Sequence, residues 1–302
     1  MSHPTKTIGI TGASGFIGTS LTLYLEEQGY TVRPLNRGFT LADVDDCDII
    51  INLAGASINR RWSNSAKKLI RESRIETTKR LVGFLNKSVS KRTSLLISTS
   101  AIGIYPSSKS KSKTDNDHKT YDEYSPELGD DFLAQICIDW ENEALKANSK
   151  IRVVIARFGV VLSNKGGALP KMSLPFKFGL AGTIGNGQQP FSWIALEDLS
   201  RAFAFLIEKE ELSGFFNLTS PNPVNNDQLT KTLAKHYKCA IKFKIPSFLF
   251  KAAYGEASTL FTDGQRVLPK RLIENGFLFN FMTILSKKTL FFFVLSWLST
   301  CY

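Results

Sequence analysis

The chain has 302 residues, about two average domains or one large α/β unit carrying a smaller lobe, and enough for a core that needs no staples. Hydrophobic residues at 43% and charged residues at 22% exclude a largely disordered chain, a collagen-like repeat and a membrane bundle. The balance of 38 Lys and Arg against 27 Asp and Glu gives +11, which favours anionic ligands without choosing among nucleotides, nucleic acid and lipid.

Met1 to Lys6 lacks the apolar stretch of a secretory signal, and Thr7 to Thr11 (TIGIT) reads as a short buried strand ending in Gly12. From Phe16 the apolar residues Phe16, Ile17, Leu21, Leu23 and Leu25 fall on one broad helical face up to Gly29. Tyr30 to Leu35 is a second strand. Cys47 to Leu53 (CDIIINL) is a continuous apolar run of the kind covered on both faces in a parallel sheet. Arg71 to Leu85 reads as a helix, Ser94 to Thr99 as a strand, Phe132 to Lys146 as a helix and Ile151 to Arg157 as a strand. This alternation predicts an α/β fold, a doubly wound parallel sheet of Rossmann type. Arg37 to Asp48 is too short for two crossovers and a strand, so the third strand of the first half is expected to be missing or vestigial. Ser107 to Lys119 is polar, Lys- and Ser-rich and without interleaved aromatics, so it reads as a surface loop, and Lys109, Lys111 and Lys113 are not expected to bind nucleic acid.

The segment with chemical content is Gly12-Ala13-Ser14-Gly15-Phe16-Ile17-Gly18. Three glycines at i, i+3 and i+6 between a strand and a helix permit a tight turn, close approach of a pyrophosphate, and close packing of helix on sheet. Phosphates would meet free N–H groups at the positive end of the helix, so Gly12, Ser14, Gly15, Phe16, Ile17 and Gly18 are candidate dinucleotide contacts. At the end of the second strand an NAD enzyme would carry Asp or Glu for the ribose 2′-hydroxyl. This chain has Asn36 and Arg37, with Arg33 close by, and a guanidinium suits a 2′-phosphate. The reading is therefore NADP. Leu53, Ala54 and Gly55 close the next strand with residues small enough for backbone to lie along the cofactor.

With these residues and a series of later motifs, the chain resembles the extended short-chain dehydrogenases/reductases of the NAD-dependent epimerase/dehydratase superfamily. The most similar branch is the atypical epimerase-like family sometimes labelled cell-division-inhibitor-like. The motifs include Arg61-Trp62, Ser73-Arg74, Thr77-Thr78, Ser100-Ala101-Ile102-Gly103, Gly129-Asp130-Asp131-Phe132, Arg157-Phe158-Gly159-Val160, Ser220-Pro221-Asn222-Pro223 and Gly264-Gln265-Arg266-Val267-Leu268-Pro269, and the match runs from about residue 7 to about 284. The resemblance implies an NADP-binding domain over residues 1–165, its sheet completed by about 190–219, and a substrate lobe over 166–189 and 220–284. It also adds Arg74 as a cofactor contact. Glycines and prolines in Lys177 to Pro190 suggest a flexible loop over the cleft.

Active members of the wider superfamily use a Ser or Thr at a strand end and a Tyr-x-x-x-Lys pair on the next helix, in which the Lys lowers the Tyr pKa so that it can move a proton. Ser100 fits the first role, but Leu133 and Cys137 stand at the Tyr and Lys positions, and neither can do the work. Tyr105 is the substitute acid considered beside Ser100, against a packing role. Cys137 reads as a small buried residue, and Asp198 as a helix cap left where the family's Trp-Ile-His-x-x-Asp segment appears as Trp193-Ile194-Ala195-Leu196-Glu197-Asp198. His3, His118 and His236 read as surface residues, and no metal site is indicated.

Two functions stay open: NADP-dependent hydride transfer on a nucleotide sugar or other small carbonyl or hydroxyl substrate, or non-catalytic NADP-dependent regulation or binding related to cell division. The cysteines Cys47, Cys137, Cys239 and Cys301 form no C-x-x-C pair and fit a reducing cytoplasm. The apolar run Thr289 to Tyr302, about 21 Å long as a helix, falls short of the roughly 30 Å hydrocarbon core. The tail 285–302 departs from the family pattern and would leave an apolar patch prone to association, including self-association.

Overall fold

The computed structural model describes residues 6–109 and 119–284. Six parallel strands form the central sheet: β1 (Thr7–Thr11), β2 (Thr31–Leu35), β3 (Ile49–Asn52), β4 (Leu95–Ala101), β5 (Arg152–Phe158) and β6 (Gly214–Leu218). Their spatial order is β6-β5-β4-β3-β1-β2. Only a five-residue helix, α2 (Leu41–Asp45), separates β2 from β3, so β3 pairs directly with β1 and β2 is left as the edge. The short connection noticed in the sequence thus removes one strand. Thr40 starts α2 with a reciprocal capping box to Asp43, which makes so short a helix tenable.

Strand alternation assigns the two faces. Ile8 and Ile10, Ile49 and Ile51, Leu95 and Ile97, and Val154 and Ala156 join the cluster of α1 (Phe16–Glu27) and α6 (Leu196–Glu208). Ile50 and Leu96 point the other way, into a cluster with Leu81, Val82 and Leu85 of α3 (Asn64–Lys87). β3 is therefore buried on both sides, as its uninterrupted apolar run requires.

α4 (Phe132–Ala144) lies on the α3 side and is fixed by one buried ion pair. Arg157 of β5 donates from Nε and Nη2 to the two carboxylate oxygens of Glu141 at 2.9 and 2.8 Å, with both residues about 5% exposed or less. The fork geometry and the third bond, Arg157 Nη1 to the Tyr105 hydroxyl, satisfy charges that burial would otherwise penalise.

The remaining elements form a second apolar cluster beside the sheet, in which α5 (Leu169–Lys177) and α7 (Asn226–His236) contribute Leu169, Phe176, Leu229 and Leu233 around Trp193. The stretch Lys177 to Pro190 is not the flexible loop expected from its glycines. Leu180–Ile184 is a strand paired in parallel with Ile241–Ile245, and Gly179, Gly185 and Gly187 supply the left-handed turns at its ends. The side chain of Lys109, residues His3, Lys111, Lys113 and His118, and the tail 285–302 lie outside the described residues. Among the described residues, no helix is long and apolar enough to cross a membrane, and no group of His, Cys, Asp and Glu could hold a metal ion.

Replacing Glu141 by Ala leaves Arg157 buried without its counter-ion, so urea unfolding is expected to show a loss of about 3–5 kcal/mol. A loss below about 1 kcal/mol would mean that the pair does not hold α4 to the sheet.

Candidate functional site

The first wall of the site is the β1–α1 turn. Gly12 has φ +70°, and a Cβ there would lie 2.9 Å from the Leu53 carbonyl oxygen. Gly15 N–H donates to Gly12 O at 3.0 Å and closes the turn. α1 then begins at Phe16 with no side-chain cap and no acidic residue in its first turn, which leaves its N–H groups and positive dipole end open to an anion. At Gly18 a Cβ would fall 2.2 Å from Gly12 O, so only glycine lets the helix cross the strand this closely. The ring of Phe16 packs on Gly166 and Gly167, where a Cβ would lie 2.7 Å from ring atoms, and this hairpin covers the turn.

A buried polar network forms the floor. Thr11 Oγ1 donates to Asn52 Oδ1 (2.7 Å), and Asn52 Nδ2 donates to Thr78 Oγ1 (2.7 Å). Thr78 Oγ1 also accepts from Trp140 Nε1 (2.9 Å) and donates to the Arg74 carbonyl (2.8 Å). β1, β3, α3 and α4 are thereby tied together beneath Arg74. The Arg74 guanidinium donates to the Ile70 carbonyl (3.0 Å), lies over the Trp140 ring and abuts Gly55. It has no carboxylate partner among the described residues, and burial lowers its pKa from the ordinary value. A half-buried cation with no counter-ion on a cleft wall is a receptor for an anion.

The second wall carries Ser100, Leu133 and Cys137, all of which line the same cleft of about 680 Å³ as Gly12, Phe16, Leu53 and Arg74. Ser100 is 3% exposed, and its Oγ has no oxygen or nitrogen partner among the described residues, the Cys137 thiol being the polar group beside it. A hydroxyl at the end of β4 with only a thiol beside it and facing a cleft can still meet a ligand oxygen. Asp131 positions the opposing residues by capping α4, accepting from Leu133 N–H and Ala134 N–H. Burial pushes the Cys137 thiol up to about 11, with the Glu141 charge adding to the effect, while hydrogen bonding with the Ala101 backbone and the Ser100 hydroxyl, and then the Arg74 charge, act in the other direction.

Other sequence expectations are corrected. Tyr105 is fully buried and does not line the cleft: its hydroxyl accepts from Arg157 Nη1 (2.9 Å) and faces Asn217 Oδ1 and the Asp122 carbonyl, each at 3.0 Å. The aromatic after β4 serves packing, because its polar end is already spoken for by the Arg157 network. Asp198 is not a cap, since Ala195 occupies that position. Its carboxylate instead accepts from Asn280 N–H, Phe281 N–H and Arg201, tethering a distant segment to α6. Arg33 pairs with Asp46 at 2.6 Å and lines a separate hollow with Thr7 and Thr31 at the opposite ends of the strands. Ser14, Asn36 and Arg37 are exposed, and none of them, nor Ala54, is among the residues lining the cleft. His236 packs edge-on against Tyr237, and burial lowers its pKa.

A comparison with known proteins places this geometry. The model described as the NAD dependent epimerase/dehydratase family matches residues 8–218. The chain belongs to that family. A domain of unknown function, DUF1731, matches residues 245–286. Among curated members, the epimerase family protein YfhF of Bacillus subtilis is 38% identical over 294 residues, covering 91% of this chain and 94% of that protein. The chloroplastic SDR39U1 homologue of Arabidopsis thaliana is 36% identical over 298 residues, covering 91% of this chain and 83% of that one. The human epimerase family protein SDR39U1 (isoform 2), solved with NADPH, superimposes with a TM-score of 0.84 at 29% identity over 94% of this chain and 98% of that chain.

One residue of this family member escaped the sequence reading. Arg80 of α3 donates to the Arg37 carbonyl and lies 4.2 Å over the Phe39 ring, so a second guanidinium stands beside Arg37 at the end of β2. Its signal was absent because no local pattern says that α3 reaches β2 there.

The thiols supply a pH test. Cys47 and Cys137 are both pushed up to about 11 by burial, against roughly 8.5 in an unfolded chain. Between about pH 8.5 and 11 the folded protein keeps protons that the unfolded chain loses, so the unfolding free energy is expected to fall as pH rises through that window. Alkylation of the native protein at about pH 8 is expected to spare Cys137, and mass spectrometry of the labelled peptide reads this directly.

Proposed function

We propose that the cleft binds NADPH and that the protein is an oxidoreductase-like family member acting on a small carbonyl or hydroxyl substrate. The observation that carries the reading is one cleft uniting an uncapped glycine-turn helix, the cation Arg74 with no carboxylate partner among the described residues, and the Ser100 hydroxyl beside the Cys137 thiol. The human relative solved with NADPH supports it. The residues fit the cofactor: the turn amides at Gly15 to Ile17 would hold the diphosphate, Arg74 would add a positive charge, and Leu53 and Gly55, which line the cleft on either side of Ala54, would flank the cofactor. Arg37, with the Arg80 guanidinium on its carbonyl, would hold the 2′-phosphate of NADP, and the Arg37 side chain has no ion-pair partner among the described residues.

When bound, the cofactor supplies a hydride. Ser100 Oγ is the group that can hydrogen-bond a substrate oxygen and polarise it. Leu133 carries no proton, and the Cys137 thiol stays neutral near pH 7, so neither lowers a neighbouring pKa as a Lys would. Their apolar surface excludes water from the reacting end. A second reading, a non-catalytic protein whose conformation follows NADPH occupancy, is favoured by that same pair of residues.

Fluorescence titration is expected to show saturable NADPH uptake, weakened by about tenfold or more in Arg74→Ala. Arg37→Glu is expected to lower the ratio of NADPH to NADH affinity by a similar factor. NADPH oxidation with a carbonyl panel, lost in Ser100→Ala at unchanged NADPH affinity, selects the enzyme. Uptake without oxidation across the panel selects the second reading.

A further inference from the structure

We infer that the outer face of the lobe beside the sheet docks on an anionic lipid membrane, its exposed phenylalanines entering the lipid and the lysines around them meeting the headgroups. The face lies apart from the cleft, since none of the residues that form it lines that cavity, and it does not depend on the cofactor reading. Its charge is visible along the chain: residues 228–255 hold six lysines and residues 166–189 hold two, and neither stretch contains an Asp or Glu. Lys231 pairs with Asp227. Lys235, Lys238, Lys242, Lys244 and Lys251 are exposed and have no ion-pair partner among the described residues. The excess of +11 is thus concentrated, in part, on this lobe.

The fold brings apolar side chains to the surface between these charges. In the parallel pair of strands Leu180–Ile184 and Ile241–Ile245, Ala181 turns inward to the cluster of α5 and α7, so Ile241 and Phe243 turn outward with Leu180 and Ile184. A Cβ on Gly182 would lie 3.3 Å from the Phe243 ring and 2.5 Å from Ile245, which puts those side chains on the same outer side. At one end of this strand, Phe178 is 76% exposed, beside Gly179, whose carbonyl accepts from Ile241 N–H. At the other end, Pro246 alone separates the strand from α8 (Ser247–Tyr254), a helix with no buried residue, on which Phe248 is 65% exposed and Leu249 is exposed beside it. Phe178, Phe243 and Phe248 are the three exposed phenylalanines among the described residues, so this apolar surface is gathered rather than scattered.

Charge and apolar groups are interleaved. Lys251 follows Phe248 by three positions on α8 and so lies on the same side of that helix. Lys242 and Lys244 alternate with Ile241 and Phe243 and leave the strand on its other side, from where their long stems reach the headgroup layer. The combination selects lipid over nucleic acid. Duplex phosphates would satisfy the lysines, and bases could stack on phenylalanine, but exposed Ile241 and Leu249 gain nothing from either. A bilayer interface takes both components, the aromatic and aliphatic groups at the acyl boundary and the ammonium groups at anionic headgroups.

Sedimentation of the full chain with vesicles tests this, using phosphatidylcholine alone and phosphatidylcholine mixed in equal parts with phosphatidylglycerol. Affinity for the mixed vesicles is expected to exceed that for phosphatidylcholine by about tenfold or more and to fall as salt rises. Phe178→Ser with Phe248→Ser, and separately Lys242→Glu with Lys244→Glu, are each expected to weaken it by about tenfold or more. Lys79→Glu with Lys150→Glu makes the same charge change at exposed positions outside the lobe and is expected to alter it by about twofold or less. Melting temperatures report the folding of each variant. No binding to the mixed vesicles, equal binding to both kinds, or equal weakening by the lobe and remote lysine variants would each overturn the inference. Weakening by the Lys242 and Lys244 changes but not by the phenylalanine changes, together with salt-sensitive uptake of a DNA duplex, would assign the lysines to nucleic acid and likewise overturn it.

Discussion

The contact between Gly18 and the carbonyl of Gly12 sets the depth of the whole site. A helix that crosses a strand with no room for a methyl group must present its first amides directly over the strand end, and every ligand contact is measured from there. Gly12 at positive φ turns the chain without touching Leu53, and Phe16 locks the turn under the Gly166–Gly167 hairpin. The open N–H groups at the start of α1 follow from backbone geometry alone, since no side chain caps the helix.

What surrounds that turn is organised by saturation of buried polar groups. Thr78 Oγ1 makes one donated and two accepted bonds, and Asn52 links it to β1, so the floor has no spare capacity for a ligand. Arg157 is similarly consumed by Glu141 and Tyr105. Against this background Arg74, with no carboxylate partner among the described residues, and Ser100, with only the Cys137 thiol beside its hydroxyl, stand out, and they face the same cleft. Of the described Lys and Arg residues, Arg74 is the one that lines the cleft.

The sequence made legible whatever depends on neighbours along the chain. Glycine spacing at 12, 15 and 18, the apolar run of β3 and the short link after β2 each translate directly into the observed turn, central strand and missing strand. Placement of Leu133 and Cys137 opposite Ser100 was legible through the family resemblance, which sets them at the Tyr and Lys positions, and their spacing of four keeps both on one face of α4. Side-chain direction across long separations was not. The hydroxyl of Tyr105 turns toward Asn217, 112 positions away, and Asp198 binds backbone 82 and 83 positions away. Leu180–Ile184 likewise becomes a strand only through its partner at Ile241–Ile245, while its own composition signals a loop.

The central claim is that the amides opening α1 hold the diphosphate of NADPH. The most direct measurement is an amide-resolved NMR titration of isotopically labelled protein with NADPH. The account predicts saturable shifts concentrated at Gly15, Phe16 and Ile17, with the Arg74 guanidinium resonance moving at the same ligand concentrations. Saturable binding that leaves those amides unmoved, or an absence of binding altogether, would contradict it.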